Sequence, residues 1–484
     1  MVTHQPEQRN PSQQAVPVKP SRPGLIRARL QRGLTQEQAA EQIGVSLCTW
    51  ARWERGTQSV RPVYRKRLME RWDAEPGVVE RWLQLTACAK PLSGCDPQGD
   101  IAAEEAGPAE SMPYVCDMET ARQLWRLEMD PSRRHLLAAL PFMPSLLSDW
   151  FLSWAYDAPA TTGSGGVPTE QTIRQVGAAD VARVREARQA FSQMDHQFGA
   201  GLVRPAVTDF LDSQLSAMLA GTYSNDTRAE LLSAASSMTQ LAGWMAYDLG
   251  HHGQAQRHYG QALNLAKTAD DQLIAAYVLA ALAQQAYDLG HGRWALRLAS
   301  AAGEAGRQAD APPKVTALLM LRQARAEAVT AQTADQPGAH ARRQVGLLLS
   351  QAERHFSQGP SDRDPFWSAA FGQAELAAEA GYCWQRVGEH RKAADLAEQA
   401  LAGFGTSYAR STQFNRVHAA HAYLDLGDLD HALALATPAI PAAKELTSAR
   451  AVAHIRDFAD RLTPHARQAA VRDFNEMLHD SLAS

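Results

Sequence analysis

TQEQAAEQIGVSLCTWARWERG, residues 35–56, is the stretch that decides how the front of this 484-residue chain folds. Thr35 offers a hydroxyl to cap a first helix, and Glu37 and Glu41 favour its positive N-terminal end. That helix runs through Ala39, Ala40 and Ile43 and stops at Gly44, which accepts the left-handed backbone of a sharp turn. Ser46 caps a second helix, from Leu47 to about Arg55, and Gly56 ends it. Ile43, Val45, Trp50 and Trp53 share one side, which predicts burial against Ile26, Leu30 and Leu34 of a preceding helix. Leu47, Cys48, Thr49, Arg52 and Arg55 are left facing outward.

A tight helix pair whose second member carries arginines has the shape that enters a major groove. Thr35-Gln36, Gly44 and Glu54-Arg55-Gly56 make the stretch resemble the Cro/CI-type (XRE) helix-turn-helix, over roughly residues 24–72. The resemblance implies double-stranded DNA, an operator, as partner, with Gln36, Ser46, Leu47, Cys48, Thr49, Arg52, Arg55, Arg61 and Arg65 as the contacting residues. Arg52 is placed to grip guanine, whereas Gln36, Arg55, Arg61 and Arg65 are expected on phosphate. The sequence departs from the family at Leu47 and Cys48, where polar base readers are usual, and at Trp50, where Ile or Val is usual. The base sequence that is read does not follow from it.

Charge is divided in the same way. The formal net charge is −4, yet residues 22–72 hold eleven Lys and Arg against four Glu, a local +7, and everything after Trp72 sums to −12. A basic head on an acidic body confines phosphate contacts to the head. The five cysteines (Cys48, Cys88, Cys95, Cys116 and Cys383) form no CxxC or CxxH pair, and no signal peptide precedes them. They read as reduced thiols in a cytoplasm. No phosphate-binding loop, dinucleotide fingerprint, HExxH or GxSxG is present, so no catalytic residue, metal ligand or cofactor is expected, and the chain reads as no enzyme.

In order, residues 1–22 read as a disordered tail, 23–90 as the DNA-binding domain and 91–117 as an acidic linker with six acidic residues and no Lys or Arg. Within the domain, Pro62 opens a basic helix with Leu68 and Trp72 on its apolar side, and a further helix spans 78–85. Residues 118–160 form a helical connecting segment. Its Arg133-Arg134 pair precedes an apolar run that Pro141, Pro144 and Asp149 cut short of a membrane span, so it is expected to pack on the body. A flexible joint at 161–168 (TTGSGGVP) leads to residues 169–484.

That last part repeats. Tyr247-Asp248-Leu249-Gly250 recurs as Tyr287-Asp288-Leu289-Gly290, a period of 40, and the register returns at Gly388 and Gly427. Alanines follow each glycine at steps that let two antiparallel helices approach closely, as at Ala255, Ala262, Ala295, Ala299 and Ala302. One degenerate pair lies out of register at about 315–356. The spacing resembles tetratricopeptide (TPR) repeats, so the fold class expected is all-α, an N-terminal helix-turn-helix domain plus a C-terminal TPR-like α-solenoid of helical hairpins. In such hairpins the positions 13, 6, 3 and 2 residues before the turn glycine line the concave side. Here they are Trp244, Tyr247 and Asp248; Tyr277, Gln284, Tyr287 and Asp288; Glu375, Tyr382, Gln385 and Arg386; and Phe414, His421 and Asp425. Rings beside a few charges suit an extended peptide, and the body is expected to take a peptide, small-molecule or protein ligand.

IRQVGAADVARVREARQAF from Ile173, with LAGWMAYDLGHHGQAQRHYGQAL, is similar to actinobacterial regulators that join an XRE head to a TPR-like body. That group includes negative regulators of sporulation and antibiotic production. The resemblance implies a transcription regulator of development or secondary metabolism. One head reads only a few base pairs, so a homodimer joined through the helical body is expected. The alternative is a TPR scaffold or adaptor whose head binds little DNA.

Overall fold

A computed structural model describes residues 22–32, 34, 36–45, 47–54, 58, 60–72, 74–83, 118–144, 146–147, 174–332 and 338–483. These form two compact units, one of residues 22–83 with 146–147 and one of residues 118–144 with 174–483. Among the described residues the elements are helical, and the single β-bridge joins Gln175 to Thr222. The all-α class expected from the sequence is the one observed. The expected tail up to Ser21, the acidic linker and the 161–168 joint lie outside the described residues. So do the caps Thr35 and Ser46, together with Arg55 and Gly56 and the side chains of Leu47 and Cys48.

The first unit has five helices: α1 (Pro23–Gln31), α2 (Gln36–Ile43), α3 (Leu47–Glu54), α4 (Pro62–Trp72) and α5 (Pro76–Leu83). Gly44 turns the chain between α2 and α3 with φ +75°, as its position required. The orphan carbonyl of Ile43 accepts a hydrogen bond from Arg67 Nη1 on α4 at 3.0 Å. The core holds Ala39, Ala40, Ile43, Trp50, Trp53, Leu68 and Trp72, with Leu25 and Ala28 from α1. Leu25 takes the buried place expected of Ile26, which is half-buried, because starting α1 at Pro23 turns the 25/28 edge inward. Ring contacts run from Trp53 to Trp50 to Trp72 to Trp82 with centroids 5.5–5.8 Å apart, so indoles fill the space between α3, α4 and α5.

In the second unit, α6 (Met118–Met129) and α7 (Pro131–Ala139) precede α8 (Ala178–Phe198) and α9 (Ala200–Asp209). A π-helical stretch, Phe210–Leu215, continues α9 into α10 (Ser216–Leu219). Then come antiparallel hairpins: α11 (Asn225–Asp248) with α12 (His252–Thr268), α13 (Gln272–Asp288) with α14 (Gly292–Gln308), α15 (Pro313–Gln332) with α16 (Ala339–Phe356), and α17 (Gln373–Arg386) with α18 (His390–Gly403). They are followed by α19 (Ala409–Asp425), α20 (Leu429–Ala436), α21 (Ala439–Glu445), α22 (Ala449–Arg461) and α23 (Ala469–Ala483).

The repeat is visible in the backbone. Gly250, Gly290, Gly388 and Gly427 all turn at φ between 78° and 83°. After each glycine the next amide reaches back five residues: His251 to Ala246, His291 to Ala286, Glu389 to Trp384 and Asp428 to Tyr423, at 2.8–2.9 Å. This Schellman closure satisfies helix-end carbonyls and aims each chain back antiparallel. The small residues behind each turn, such as Ala255, Ala295, Ala393 and Ala432, are buried, which is what close helix approach uses them for. The out-of-register pair is α15 and α16.

Residues 118–144 pack on the hairpins. Trp125 of α6 is fully buried in the core that α9 and α11 share. The Glu128 carboxylate, buried as well, accepts from Gln254 Nε2 at 2.5 Å and Arg204 Nη2 at 3.0 Å and lies 2.5 Å from His258 Nε2. Gly253 N donates to the Leu140 carbonyl at 3.1 Å, and Gln256 bonds both backbone groups of Met143.

Burial would raise the Glu128 carboxyl, but the neighbouring His258 and Arg204 outweigh it and hold it at about 2. The folded value lies below the ordinary 4.5, so the stabilisation is complete above that pH and is lost as pH falls through about 2. Glu128→Gln leaves the half-buried Arg204 without its carboxylate and should cost about 2–4 kcal/mol at neutral pH. Denaturant unfolding of the full chain should show this loss, and a shallower fall in stability on acidification than in wild type.

Candidate nucleic-acid interface and ligand chamber

Turning 100° per residue, α3 buries Trp50, Trp53 and Glu54 and leaves Arg52 exposed on the other side. Its rotation is fixed by Glu54, whose carboxylate is inside the head. Arg29 donates to it through Nε at 2.6 Å and Nη2 at 3.3 Å, Trp50 Nε1 at 2.8 Å and Gln36 Nε2 at 2.5 Å. One buried acid thus joins α1, α2 and α3, with enough donors to offset its desolvation. The Glu of the family-like Glu-x-Gly string is therefore a brace in this head.

The arginines divide between bracing and surface. Arg22 is buried and donates to the carbonyls of Leu83, Trp53 and Gln58 at 2.7–2.9 Å, which closes the ends of α3 and α5. Arg32 bonds the Trp72 carbonyl at 2.7 Å and lies over the Trp72 and Trp82 rings. Arg27, Arg52, Arg61, Lys66 and Arg71 are exposed. Of the expected contacts, Thr49 is half-buried on α3 and Arg61 precedes α4 at the surface. Arg65 pairs with Glu80 at 2.6 Å and bonds the Val60 carbonyl at 3.0 Å, while the Gln36 amide is turned to Glu54. Ser46 and Arg55 lie outside the described residues.

In the second unit the concave side of the hairpins encloses a chamber of about 940 Å³. Trp244, Tyr247, Tyr277, Gln284, Tyr287, Asp288, Tyr382, Arg386 and Phe414 line it, as does Glu375. His421 and Asp425 line an adjoining cavity of about 450 Å³ with Gln385, and Asp248 lies buried behind the wall, 3.3 Å from Arg450. The groove count brings most of its residues to one space.

What the count missed is the arginine set. Arg322 and Arg325, one turn apart on α15, each donate to Glu379 at 2.8 Å, and Arg325 stacks 3.6 Å over the Tyr382 ring. Arg450 of α22 sits between Asp248 and Asp288 at 3.3 Å from each, over Tyr247. Arg410 of α19 bonds Asp195 of α8, whose Arg188 also faces the chamber. Burial would raise Glu379, but Arg322 and Arg325 hold it at about 2, whereas burial pushes Glu375 up against a Ser411 hydroxyl at 2.6 Å. Burial keeps His418 and His454 far below their ordinary range, so these wall histidines are neutral. The chamber is therefore aromatic and lined with buried arginines, most of them paired with carboxylates. No group of residues suited to a metal ion occurs among the described residues.

The repeat register could not have found these arginines. α15 belongs to the out-of-register pair, α22 follows the last turn glycine, α8 lies outside the hairpins, and Arg410 on α19 precedes the positions counted back from Gly427.

A family model described as a helix-turn-helix domain matches residues 25–82, the five helices of the first unit almost end to end. No curated protein matches the chain. The first unit is thus a helix-turn-helix domain, which supports a DNA-binding regulator in general. No helix among the described residues is long and apolar enough to cross a membrane.

The Glu54 brace can be tested directly. Glu54→Gln keeps the shape but leaves Arg29 buried without its counter-charge, a loss of about 3–5 kcal/mol. Hydrogen exchange on the full chain should quicken across residues 36–54 and stay unchanged across residues 225–332.

Proposed function

We propose that this protein is a transcription regulator of the XRE type, reading an operator as a homodimer and sensing an effector through its TPR-like body. The observation that carries the reading is the outward Arg52 on a helix locked by Glu54. From that place a guanidinium can span guanine O6 and N7, and Thr49 one turn before can meet a neighbouring base or phosphate. Arg61 and the exposed basic face of α4 supply phosphate contacts. Leu47 and Cys48 offer apolar contact to a thymine methyl.

Two such heads, on half-sites about 34 Å apart, supply the specificity one lacks. The chamber supplies the sensor. An effector works there by binding one arrangement of the hairpins better than another, and so changing the spacing of the heads. Resemblance to regulators of sporulation and antibiotic production supports targets in development or secondary metabolism. A repressor or activator of that kind acts in the cytoplasm, where its DNA is.

Recovering bound DNA genome-wide from cells, then gel shifts with the recovered sites and the protein's own upstream region, tests the reading. We expect a discrete set of palindromic sites. Arg52→Ala should cost about 1–3 kcal/mol on them and relax the preference at one base pair. Arg61→Ala should weaken all sequences alike and lower the salt slope by about one. Wild-type protein that retards no recovered site would leave the adaptor reading.

A further inference from the structure

Among the described residues, no carboxylate answers the charge of Arg188 in the chamber wall. It is 3 % exposed, yet its guanidinium reaches only the Tyr277 hydroxyl, at 3.5 Å, and its Nε has no hydrogen-bond partner among the described residues. No carboxylate pairs with it there, whereas Arg322, Arg325, Arg410 and Arg450 all have theirs. A buried guanidinium without an anion is expensive, so a site that keeps one has a use for an incoming negative charge.

Two further wall groups point to the rest of the molecule. Gln240 Oε1 and Asn415 Oδ1 are buried acceptors that lack a donor among the described residues. Both call for an N–H or O–H on the occupant. Around Arg188, Tyr277 stacks on Trp367 at 4.3 Å between centroids, and Phe366 lies 6.0 Å from the guanidinium, which makes that wall flat and apolar. The chamber volume, about 940 Å³, suits a small molecule. Helix α8 also reaches across the concave side, to Tyr277 through Arg188 and to Arg410 through Asp195.

We propose that the chamber binds a compact organic anion: one carboxylate or phosphate held by Arg188, an apolar or planar body along the Tyr277–Trp367 wall, and a hydroxyl or amino donor toward Gln240 or Asn415. This rests on the effector reading of the body and names the class of the effector.

The test uses the full chain and three probes: 4-hydroxybenzoate, 4-hydroxyphenyl phosphate and the neutral 4-hydroxybenzamide. At saturating concentration at least one of the two anions should raise the melting temperature by about 2–4 °C and the amide should not. The anion that stabilises more tells carboxylate from phosphate. Arg188→Met should abolish the rise while leaving the unliganded melting temperature equal to or above wild type, because it removes an unanswered buried charge. Arg410→Met, which breaks a satisfied pair, should lower it.

Equal rises with anion and amide, no rise with either anion, or an Arg188→Met protein less stable than wild type by as much as Arg410→Met would overturn the proposal. A gel shift without probes, run in parallel, separates the two readings. Operator binding with no response to anions removes the anion proposal alone, and absence of operator binding removes the regulator reading.

Discussion

Asp195 and Arg410 lie 215 residues apart in sequence and meet as a buried pair between α8 and α19. Around that pair the second unit is closed. The backbone of Gly199 passes so near Leu446 that a Cβ would stand 2.1 Å from the Leu446 carbonyl oxygen, and Arg450 ties α22 to α11 and α13 through Asp248 and Asp288. Hairpins stacked by nearest-neighbour contacts alone would leave an open concave face. These long-range ion pairs join the last helices to the first and turn the face into a chamber. Because both partners of Asp195–Arg410 are out of water, each depends on the other, and closure is cooperative.

Arginine is the residue through which both units solve their packing. Its planar fork satisfies several acceptors and lies flat on aromatic rings. Arg22, Arg29 and Arg32 fasten helix ends and the Glu54 brace in the head, and Arg325 and Arg450 stack on tyrosines while holding carboxylates in the body. Positive charge counted along the chain is therefore a poor measure of phosphate contacts. Part of the head's basic surplus is spent inside it, and the body buries arginines that are mostly answered by its own carboxylates.

The connecting segment joins this interior to its outside. At the turn between α11 and α12, His252 faces the chamber beside Tyr247 and Asp288, while Gly253, Gln254 and Gln256 just beyond it hold Leu140, Glu128 and Met143.

What was legible in the sequence is what depends on residues close together along it. Caps, a 3.6-residue apolar rhythm and turn glycines specify helices and hairpins locally, so the helix pair at 36–54, the four Schellman turns and their alanine-lined seams could be read before any coordinates. The inward positions before each turn glycine could be counted for the same reason, and most of them line the chamber. Tertiary structure alone decided which charges meet. Glu54 was a motif letter until Arg29, Gln36 and Trp50 converged on it. Arg188, Arg322 and Arg450 come from helices outside the repeat register and Arg410 from outside its counted positions, and only the packing of these helices brings them to one cavity. Ion pairs across two hundred residues leave no periodic trace, because their partners are chosen by the path of the superhelix and not by spacing along the chain.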